Sequence, residues 1–246
     1  HLNYQRNVAH EFLRMYYMME KISRDINNFD ADVQKEYRDY YSAFTEKYQF
    51  TPTQYSFLLF WELSIYYSDV NGLIYDTMWR NVEKVYGKMK EKELINKVIG
   101  VLSQQVKDYA TWASESENQE WDFSKFFEFP FIKDGKGNYI SVCDITLRNA
   151  FFEKIFWLIR DCYPKDDSRA MAFLGRLFEK YIQNLTQEAT KGSYSYIEEF
   201  AYGKNNKKSS DAYIRKDNDL LVIEAKGFSV LLDFISEVYK ELFLQF

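Results

Sequence analysis

Helical periodicity over the first half of the chain constrains its fold more than any other feature. From about Asn7 to Ala113, apolar residues recur at helical spacing almost throughout. Only 9 glycines and 3 prolines interrupt the 246 residues, which favours long helices over a turn-rich β-sandwich. The sequence therefore predicts an α-helical region over residues 1–118. Its aromatic stripes are interpreted as helical core rather than as a cofactor site.

Two stretches of this region carry specific helix signals. The stretch "EFLRMYYMMEKI" forms one apolar stripe, made of Phe12, Met15, Tyr16, Met19 and Ile22. In "FTPTQYSFLLFWEL", Thr51 is a candidate N-cap and Pro52 lies in the first turn. This most apolar helix contains Glu62 and is too short to span a bilayer, so no membrane partner is expected.

Charge and cysteine usage exclude several classes of protein. The formal net charge is −5, so any contact with nucleic acid must come from a local basic patch rather than from bulk charge. Cys143 and Cys162 show no CxxC spacing, which argues against a zinc site and a disulfide framework and favours a reducing cytoplasm. The N-terminus lacks the basic start, apolar run and cleavage site of a signal peptide.

The pattern changes after "ASESENQE", residues 113–120, a polar stretch interpreted as a linker or domain boundary. We expect a second domain over residues 119–246, of α/β class, with a small mixed central sheet flanked by helices. The stretch "EFPFIKDGKGNYISV" predicts two short strands joined by a turn at Asp134 to Asn138. Helices are predicted for "LRNAFFEKIFWLIRDCY", ending before Pro164, for "SRAMAFLGRLFEKYIQNLT" and for the final "VLLDFISEVYKELFLQF".

The helix "SRAMAFLGRLFEKYIQNLT" has a broad apolar face with Glu179 beside it. The residues predicted to be buried on this face are Phe173, Leu174, Leu177, Phe178, Tyr181, Ile182 and Leu185. Strand candidates follow in "SYIEEFAY" and in "SSDAYIRKDNDLLVIEAKG". The order is helix, three strands, helix.

The last strand, Leu220–Ile223, is apolar on both faces and is followed by Glu224 and Lys226. Such a strand is expected to be covered on both sides, and charges at its end are costly without a partner or a role. One interpretation is an edge strand emerging into solvent. The other is a metal-dependent nuclease site.

Turn chemistry at "DND" sets the register of this hairpin. With Asp217 and Asn218 at the centre of the loop, opposite residues have numbers that sum to 435, so Asp211 faces Glu224. Two carboxylates placed in this way repel each other, whereas a divalent cation between them turns the repulsion into a site. Oxygen ligands suit Mg²⁺ or Mn²⁺, and Lys226 on the same face can position water or neutralise phosphate.

Asp211, followed by Glu224-Ala225-Lys226 at the end of an apolar strand, resembles the PD-(D/E)XK nuclease superfamily, which has the restriction-endonuclease-like fold. The resemblance covers about residues 125 to 246. It implies that Asp211, Glu224 and the carbonyl of Ala225 bind the metal and that Lys226 is catalytic. The stretch "GRLFEKYI" is similar to the helix before the catalytic strands in many members, and Glu179 matches their additional upstream acid.

The sequence departs from the family pattern at three points. Ser210-Asp211 stands where the family has Pro-Asp, and no glutamine follows Lys226 at the spacing of the RecB-like branch. The family usually has one further strand after the next helix, whereas this sequence ends on that helix at Phe246. The expected domain is therefore cut short at its C-terminus or completed from elsewhere.

A basic cluster and several tyrosines surround the first strand of the hairpin. The cluster is interpreted either as phosphate-binding or as a solvated loop, and it comprises Lys204, Lys207, Lys208, Arg215 and Lys216. Base stacking and half-buried packing are the two interpretations of the tyrosines, which are Tyr194, Tyr196, Tyr202 and Tyr213.

The expected function is a Mg²⁺- or Mn²⁺-dependent endonuclease that hydrolyses DNA phosphodiester bonds in defence, restriction or repair. The helical region is expected to bind DNA, a partner subunit or a second copy of the chain. One alternative is a catalytically silent nuclease-like fold that binds nucleic acid or assembles proteins. Another is a helical regulatory protein whose C-terminal strands are only structural.

Overall fold

The computed structural model describes residues 9–10, 12–68, 79–115 and 123–225. The chain divides into two compact units. Of the described residues, the first unit contains 9–10, 12, 42–68, 79–115 and 123–162, and the second contains 13–41 and 163–225. The boundary predicted at 118/119 lies outside the described residues, as do Lys226 and the final predicted helix.

The elements are numbered in chain order. The helices are α1 (Ala31–Gln34), α2 (Tyr40–Tyr48), α3 (Pro52–Ser68), α4 (Val82–Tyr86), α5 (Lys92–Val101), α6 (Val106–Glu115), α7 (Ser124–Glu128), α8 (Asp144–Asn149), α9 (Ile155–Arg160) and α10 (Ser168–Thr190). The strands are β1 (Arg80–Asn81), β2 (Ser103–Gln105), β3 (Phe131–Lys133), β4 (Asn138–Ser141), β5 (Ser195–Glu198), β6 (Ala201–Tyr202), β7 (Lys207–Lys208), β8 (Ala212–Lys216) and β9 (Asp219–Ile223). Two segments are π-helical, Tyr17–Ile22 and Ala150–Lys154. Within the described ranges, no helix is both long enough and apolar enough to cross a bilayer.

The first unit confirms several local predictions. Helix α3 begins as expected, because the Thr51 hydroxyl accepts the backbone N–H of Gln54 at 3.1 Å, while the Gln54 side chain accepts the N–H of Thr51 at 2.8 Å. The predicted turn between β3 and β4 is built by Asp134, whose carboxylate accepts the backbone N–H groups of Lys136 and Asn138. The four-stranded sheet has the order β1-β4-β3-β2, and only β2 and β3 are parallel.

A buried polar network links this sheet to α3. Glu62 is fully buried, and one of its carboxylate oxygens accepts the hydroxyls of Tyr86 at 2.5 Å and Tyr139 at 2.8 Å. Its other oxygen lies 2.6 Å from the guanidinium of Arg80. Burial, together with the negative charge of Glu62, raises the pKa of both tyrosines, so they remain neutral donors. The charge in the most apolar helix is thus compensated by groups from β1, α4 and β4.

An aromatic core holds the second unit together. The buried ring of Phe173 on α10 lies 5.0–5.4 Å, between centroids, from the rings of Phe29, Tyr37 and Tyr40. Burying one such side chain contributes about 1.5–3 kcal/mol. Helix α10 also packs against the Tyr17–Ile22 segment, β5 and β8. It therefore joins residues from the N-terminal part of the sequence to the strands near residue 211.

Asp167 caps α10 and ties it to the N-terminal part of the chain. Its carboxylate accepts the backbone N–H of Arg169 at 3.1 Å and two guanidinium nitrogens of Arg38, Nη2 at 3.0 Å and Nε at 3.2 Å. These hydrogen bonds, above all those from Arg38, lower the pKa of Asp167 below its ordinary value of 3.8.

We expect Asp167→Asn to change how stability depends on pH. Because the pKa of Asp167 is lowered by folding, its stabilisation is complete above pH 3.8 and is lost as the pH falls through the folded-state value. The Tm difference between wild type and variant should therefore be largest near neutrality and shrink in acid. Thermal unfolding between about pH 2 and pH 7 measures it. The exposed neighbour provides the control, since Asp166→Asn should retain the wild-type profile; a difference that is constant with pH would contradict the prediction.

The structure is mixed α/β, as expected, but three features differ from the predictions. Instead of one central sheet, the described residues form sheets of four, three and two strands. Two short strands, β1 and β2, lie within the region predicted to be helical. The predicted buried face of α10 contains Phe173 and Leu177, but Leu185 is exposed.

Strand β9 is not covered on both faces, contrary to the prediction. The side chains of Leu220, Leu221 and Val222 are 55%, 59% and 52% exposed. Among the described residues, the three-stranded sheet has the order β5-β8-β9 with β9 at an edge, while α10 packs against β5 and β8. An apolar sequence on both faces therefore did not mean burial on both faces.

Candidate metal and nucleic-acid site

The hairpin of β8 and β9 has the predicted register. Every paired position sums to 435, from Ala212 opposite Ile223 to Lys216 opposite Asp219. Asp217 in the turn adopts a positive φ of 51°, the left-handed conformation that aspartate tolerates. Asp211 and Glu224 are each the next residue beyond the last pair. The register therefore brings the two acids to the open end of one hairpin.

The side chain of Asp211 links the two strands at this open end of the hairpin. Its Oδ2 accepts the backbone N–H of Ala225 at 2.5 Å, across the two strands. The backbone carbonyl of Asp211 accepts the side-chain amide of Gln183, on α10, at 3.3 Å. The carboxylate is half-buried, and its orientation is fixed by the hydrogen bond to Ala225. Since Ala225 itself is buried, this end of the hairpin is anchored on both strands.

Glu224 lies at the edge of a pocket beside Tyr213. The Tyr213 hydroxyl accepts the backbone N–H of Ser210 at 3.0 Å. Hydrogen bonds with Ser209 and Ser210 lower the pKa of this phenol, and the nearby charge of Glu224 opposes that shift. The exposed Glu224 carboxylate therefore lies within electrostatic reach of the phenol oxygen.

Glu179 is occupied by a different partner. Both of its carboxylate oxygens accept from one guanidinium nitrogen of Arg176, at 2.8 and 3.1 Å. These hydrogen bonds raise the pKa of Arg176. The contact from α10 to Asp211 comes instead from Gln183, one helical turn further along. Gln183 follows Glu179 by four residues and so lies on the same face of α10. This spacing indicated that Gln183 could reach the strands, and the sequence analysis did not include it.

The family resemblance implies a divalent cation at this site, and the ligands for it must come from the side chains gathered here. Among residues 9–10, 12–68, 79–115 and 123–225, no three histidine, cysteine, aspartate or glutamate side chains form a group that can hold a metal ion. Asp211 and Glu224 offer carboxylate oxygens, the ligands that Mg²⁺ and Mn²⁺ prefer. Mg²⁺ is commonly bound through one or two carboxylates and several waters. The two residues fit such a site chemically, and Lys226 lies outside the described residues.

The basic residues are exposed and fall into two groups. Lys204, Lys207 and Lys208 lie on the β6–β7 ribbon and its turn. Arg215 and Lys216 lie at the closed end of the hairpin, about 13 Å or more along β8 from Asp211 at 3.3 Å per residue. The Lys216 ammonium lies 5.2 Å from the centroid of the exposed Tyr194 ring. The five basic residues predicted to form one cluster therefore lie in two groups, one on the β6–β7 ribbon and one at the closed end of the β8–β9 hairpin.

The two cysteines take no part in this site. Both are free thiols in the first unit. Burial raises the pKa of Cys162 to about 11, which disfavours the reactive thiolate.

A comparison of the chain with family models, with curated proteins and with solved structures found no match in any of the three.

Proposed function

We propose that this protein is a metal-dependent nuclease that hydrolyses phosphodiester bonds in DNA, with the active site at the open end of the β8–β9 hairpin. The observation that supports it is the register, which makes Asp211 and Glu224 the next opposite pair beyond Ala212 and Ile223. Two acids at one end of a hairpin repel each other unless a cation or another charge compensates them. We also propose that the chain belongs to the PD-(D/E)XK superfamily and acts in DNA defence, restriction or repair.

Each residue has a proposed role. Asp211 and Glu224 are the acidic ligands of Mg²⁺ or Mn²⁺, together with the backbone carbonyl of Ala225. A bound divalent cation supplies charge neutralisation for the phosphate and lowers the pKa of water. Lys226, on the evidence of sequence alone, positions the attacking water or stabilises negative charge.

The hydrogen bonds around Asp211 support a preorganised site. Because Oδ2 accepts the N–H of Ala225, the carboxylate has one fixed orientation and its other oxygen is directed by the same constraint. Gln183 anchors the backbone at the same position from α10. Ligands whose orientation is fixed beforehand need less reorganisation when charge develops during the reaction. Glu179 is proposed to act through Arg176, as a positioning residue of the helix, rather than as a ligand.

The basic residues are proposed to bind the phosphate backbone of DNA. Lys207 and Lys208 lie on β7, and Lys208 lines the same pocket as Glu224. Lys204, in the turn of the β6–β7 ribbon, and Arg215 and Lys216, at the closed end of the β8–β9 hairpin, are proposed to contact phosphates at separate points. With a formal net charge of −5 for the whole chain, binding through this local patch should weaken strongly with added salt.

A second candidate function is a catalytically silent fold that binds nucleic acid or assembles proteins. It is favoured by the pairing of Glu179 with Arg176, which leaves two acidic ligands rather than three among the described residues. Such a module would bind DNA without needing a cation and would not cleave it.

Cleavage in defined metal conditions separates the two functions. We expect plasmid, linear duplex or single-stranded DNA to be cut with Mg²⁺ or Mn²⁺ and to remain intact with EDTA. The variant Lys226→Ala should lose this cleavage while it retains binding. Binding in EDTA without cleavage under any metal condition would instead support the silent module.

A further inference from the structure

An open pocket of about 500 Å³ lies beside Glu224 in the second unit. Its volume falls within the range of small-ligand sites. It is lined by Phe200, Tyr202, Lys208, Ser209, Ser210, Tyr213 and Glu224. Three of the seven side chains are aromatic, and one is a proposed cation ligand. The pocket therefore adjoins the proposed active site.

Two of the three aromatic side chains of this pocket are exposed. Phe200 is 49% and Tyr202 is 53% exposed. The centroid of Phe200 lies 6.4 Å from that of Tyr202 and 5.7 Å from that of Tyr213. Exposed apolar area costs about 25 cal/mol per Å² relative to burial. Rings grouped at the surface in this way are available to stack with a planar ligand.

Hydrogen bonds fix the backbone of Phe200 and the hydroxyl of Tyr213 without a ligand. The N–H of Ser209 donates to the carbonyl of Phe200 at 2.9 Å, and the N–H of Phe200 donates to the Ser209 hydroxyl at 2.9 Å. These bonds extend the β6–β7 ladder by one position. The Tyr213 hydroxyl is held by the N–H of Ser210. Binding to a preformed surface of this kind loses little conformational entropy.

Positive charge accompanies the aromatic rings. Lys207 lies opposite Tyr202 in the ribbon, and Lys208 lines the pocket. Lys208 pairs with Glu199 at 3.0 Å, but its side chain is 63% exposed. An ion pair with so exposed an ammonium group contributes little to stability, so a phosphate can replace Glu199 as its partner.

We infer that this pocket binds an unpaired nucleobase, so that the preferred substrate is single-stranded nucleic acid or a strand with a locally unpaired base. Aromatic faces beside lysines are the combination by which single strands are bound without sequence preference. In a duplex the base faces are stacked on their neighbours and must first be extruded at an energetic cost. The inference rests on the proposed function, because it places that base next to Glu224.

Binding without cleavage tests this inference separately from catalysis. The full chain is titrated in EDTA into fluorescent oligonucleotides of about 12 nucleotides, within the site sizes of single-strand binders. The probes are single-stranded DNA, single-stranded RNA and duplex DNA of one sequence, with 2-aminopurine as a reporter of base stacking. We expect single strands to bind at least about tenfold more tightly than the duplex. Phe200→Ala or Tyr202→Ala should weaken single-strand binding by about five- to 150-fold per stacked base.

Phe57→Ala is the matched control, because Phe57 is equally large and 56% exposed but lies on α3 in the other unit. It should leave all affinities unchanged. Equal affinity for duplex and single strands, unaffected by Phe200→Ala and Tyr202→Ala, would overturn the inference. Metal-dependent cleavage of the duplex in that case would leave the proposed function intact. Absence of binding to every probe would overturn the inference and leave the proposed function to the cleavage assay in Mg²⁺ or Mn²⁺.

Discussion

Asp211→Asn is expected to slow metal-dependent DNA cleavage by about 10³-fold or more. A bound metal contributes several kcal/mol to transition-state stabilisation, and each 1.36 kcal/mol corresponds to a tenfold change in rate. Asparagine has nearly the shape of aspartate and retains an acceptor oxygen for the N–H of Ala225. It lacks the negative charge by which a carboxylate attracts a divalent cation, so the cation should bind more weakly. Activity should therefore fall while the hairpin remains folded.

Three measurements on Asp211→Asn separate a lost ligand from a lost fold. Cleavage rates give the activity, calorimetric titration with Mn²⁺ gives the metal affinity, and the Tm gives the stability. We expect the first two to fall and the change in stability to stay within about 1 kcal/mol.

The control for Asp211→Asn is Glu188→Gln, which neutralises an exposed carboxylate on α10 that pairs with Lys191. It should retain wild-type cleavage. Wild-type cleavage by Asp211→Asn itself would remove this carboxylate from the proposed mechanism. Loss of activity together with a large drop in Tm would assign Asp211 a structural role at the end of the hairpin.

Glu62→Ala is expected to lower the free energy of unfolding of the first unit by about 3–5 kcal/mol, the usual cost of removing one partner from a buried ion pair. The change leaves Arg80, which is 11% exposed, without its carboxylate. It also removes the acceptor of the Tyr86 and Tyr139 hydroxyls. Each hydroxyl left unsatisfied in the interior adds to the cost.

Tryptophan fluorescence during urea denaturation measures this effect selectively. All five tryptophans lie between residues 61 and 157, within the sequence range of the first unit. Their emission therefore follows the unfolding of the unit that contains Glu62.

Two comparison variants complete the Glu62 test. Phe57→Ala, on the same helix but exposed, should change stability by no more than about 0.5 kcal/mol. Replacing both charges, in Glu62→Leu with Arg80→Met, should recover much of the loss, because no buried charge is then left unpaired. A Glu62→Ala protein as stable as wild type would show that the network does not stabilise the unit.

Local sequence determined much of the secondary structure. The start of α3 follows from Thr51 and Gln54, whose hydrogen bonds span three residues. The β3–β4 turn follows from Asp134, which binds backbone groups two and four residues away. The register of β8 with β9 follows from the turn at Asp217 and Asn218. In each case the interacting groups are close neighbours in the chain, so their residue types suffice.

The sequence predicted a candidate site at the end of the β8–β9 hairpin away from its turn, but not all of the contacts found there. The register that places Asp211 and Glu224 one position beyond the last pair was predictable, since it depends only on the turn and on strand alternation. The hydrogen bond from Ala225 to Asp211 and the contact from Gln183 were not, because they depend on how the strand ends bend and how α10 packs. Nor was the pairing of Glu179, expected as an additional acid of the site, with Arg176.

Only the tertiary structure decided which elements share a unit and which apolar residues are buried. Residues 13–41 pack against α10, although the two segments are more than 120 positions apart in sequence. The ring of Phe29 packs on Phe173, and Arg38 donates to Asp167. Glu62 acquires partners from three separate elements, while Leu220, Leu221 and Val222 stay exposed at a sheet edge. Hydrophobicity and charge are properties of each residue, and the sequence states them. Burial and ion pairing depend on which distant segment packs against that residue, and this is settled only when the whole chain folds.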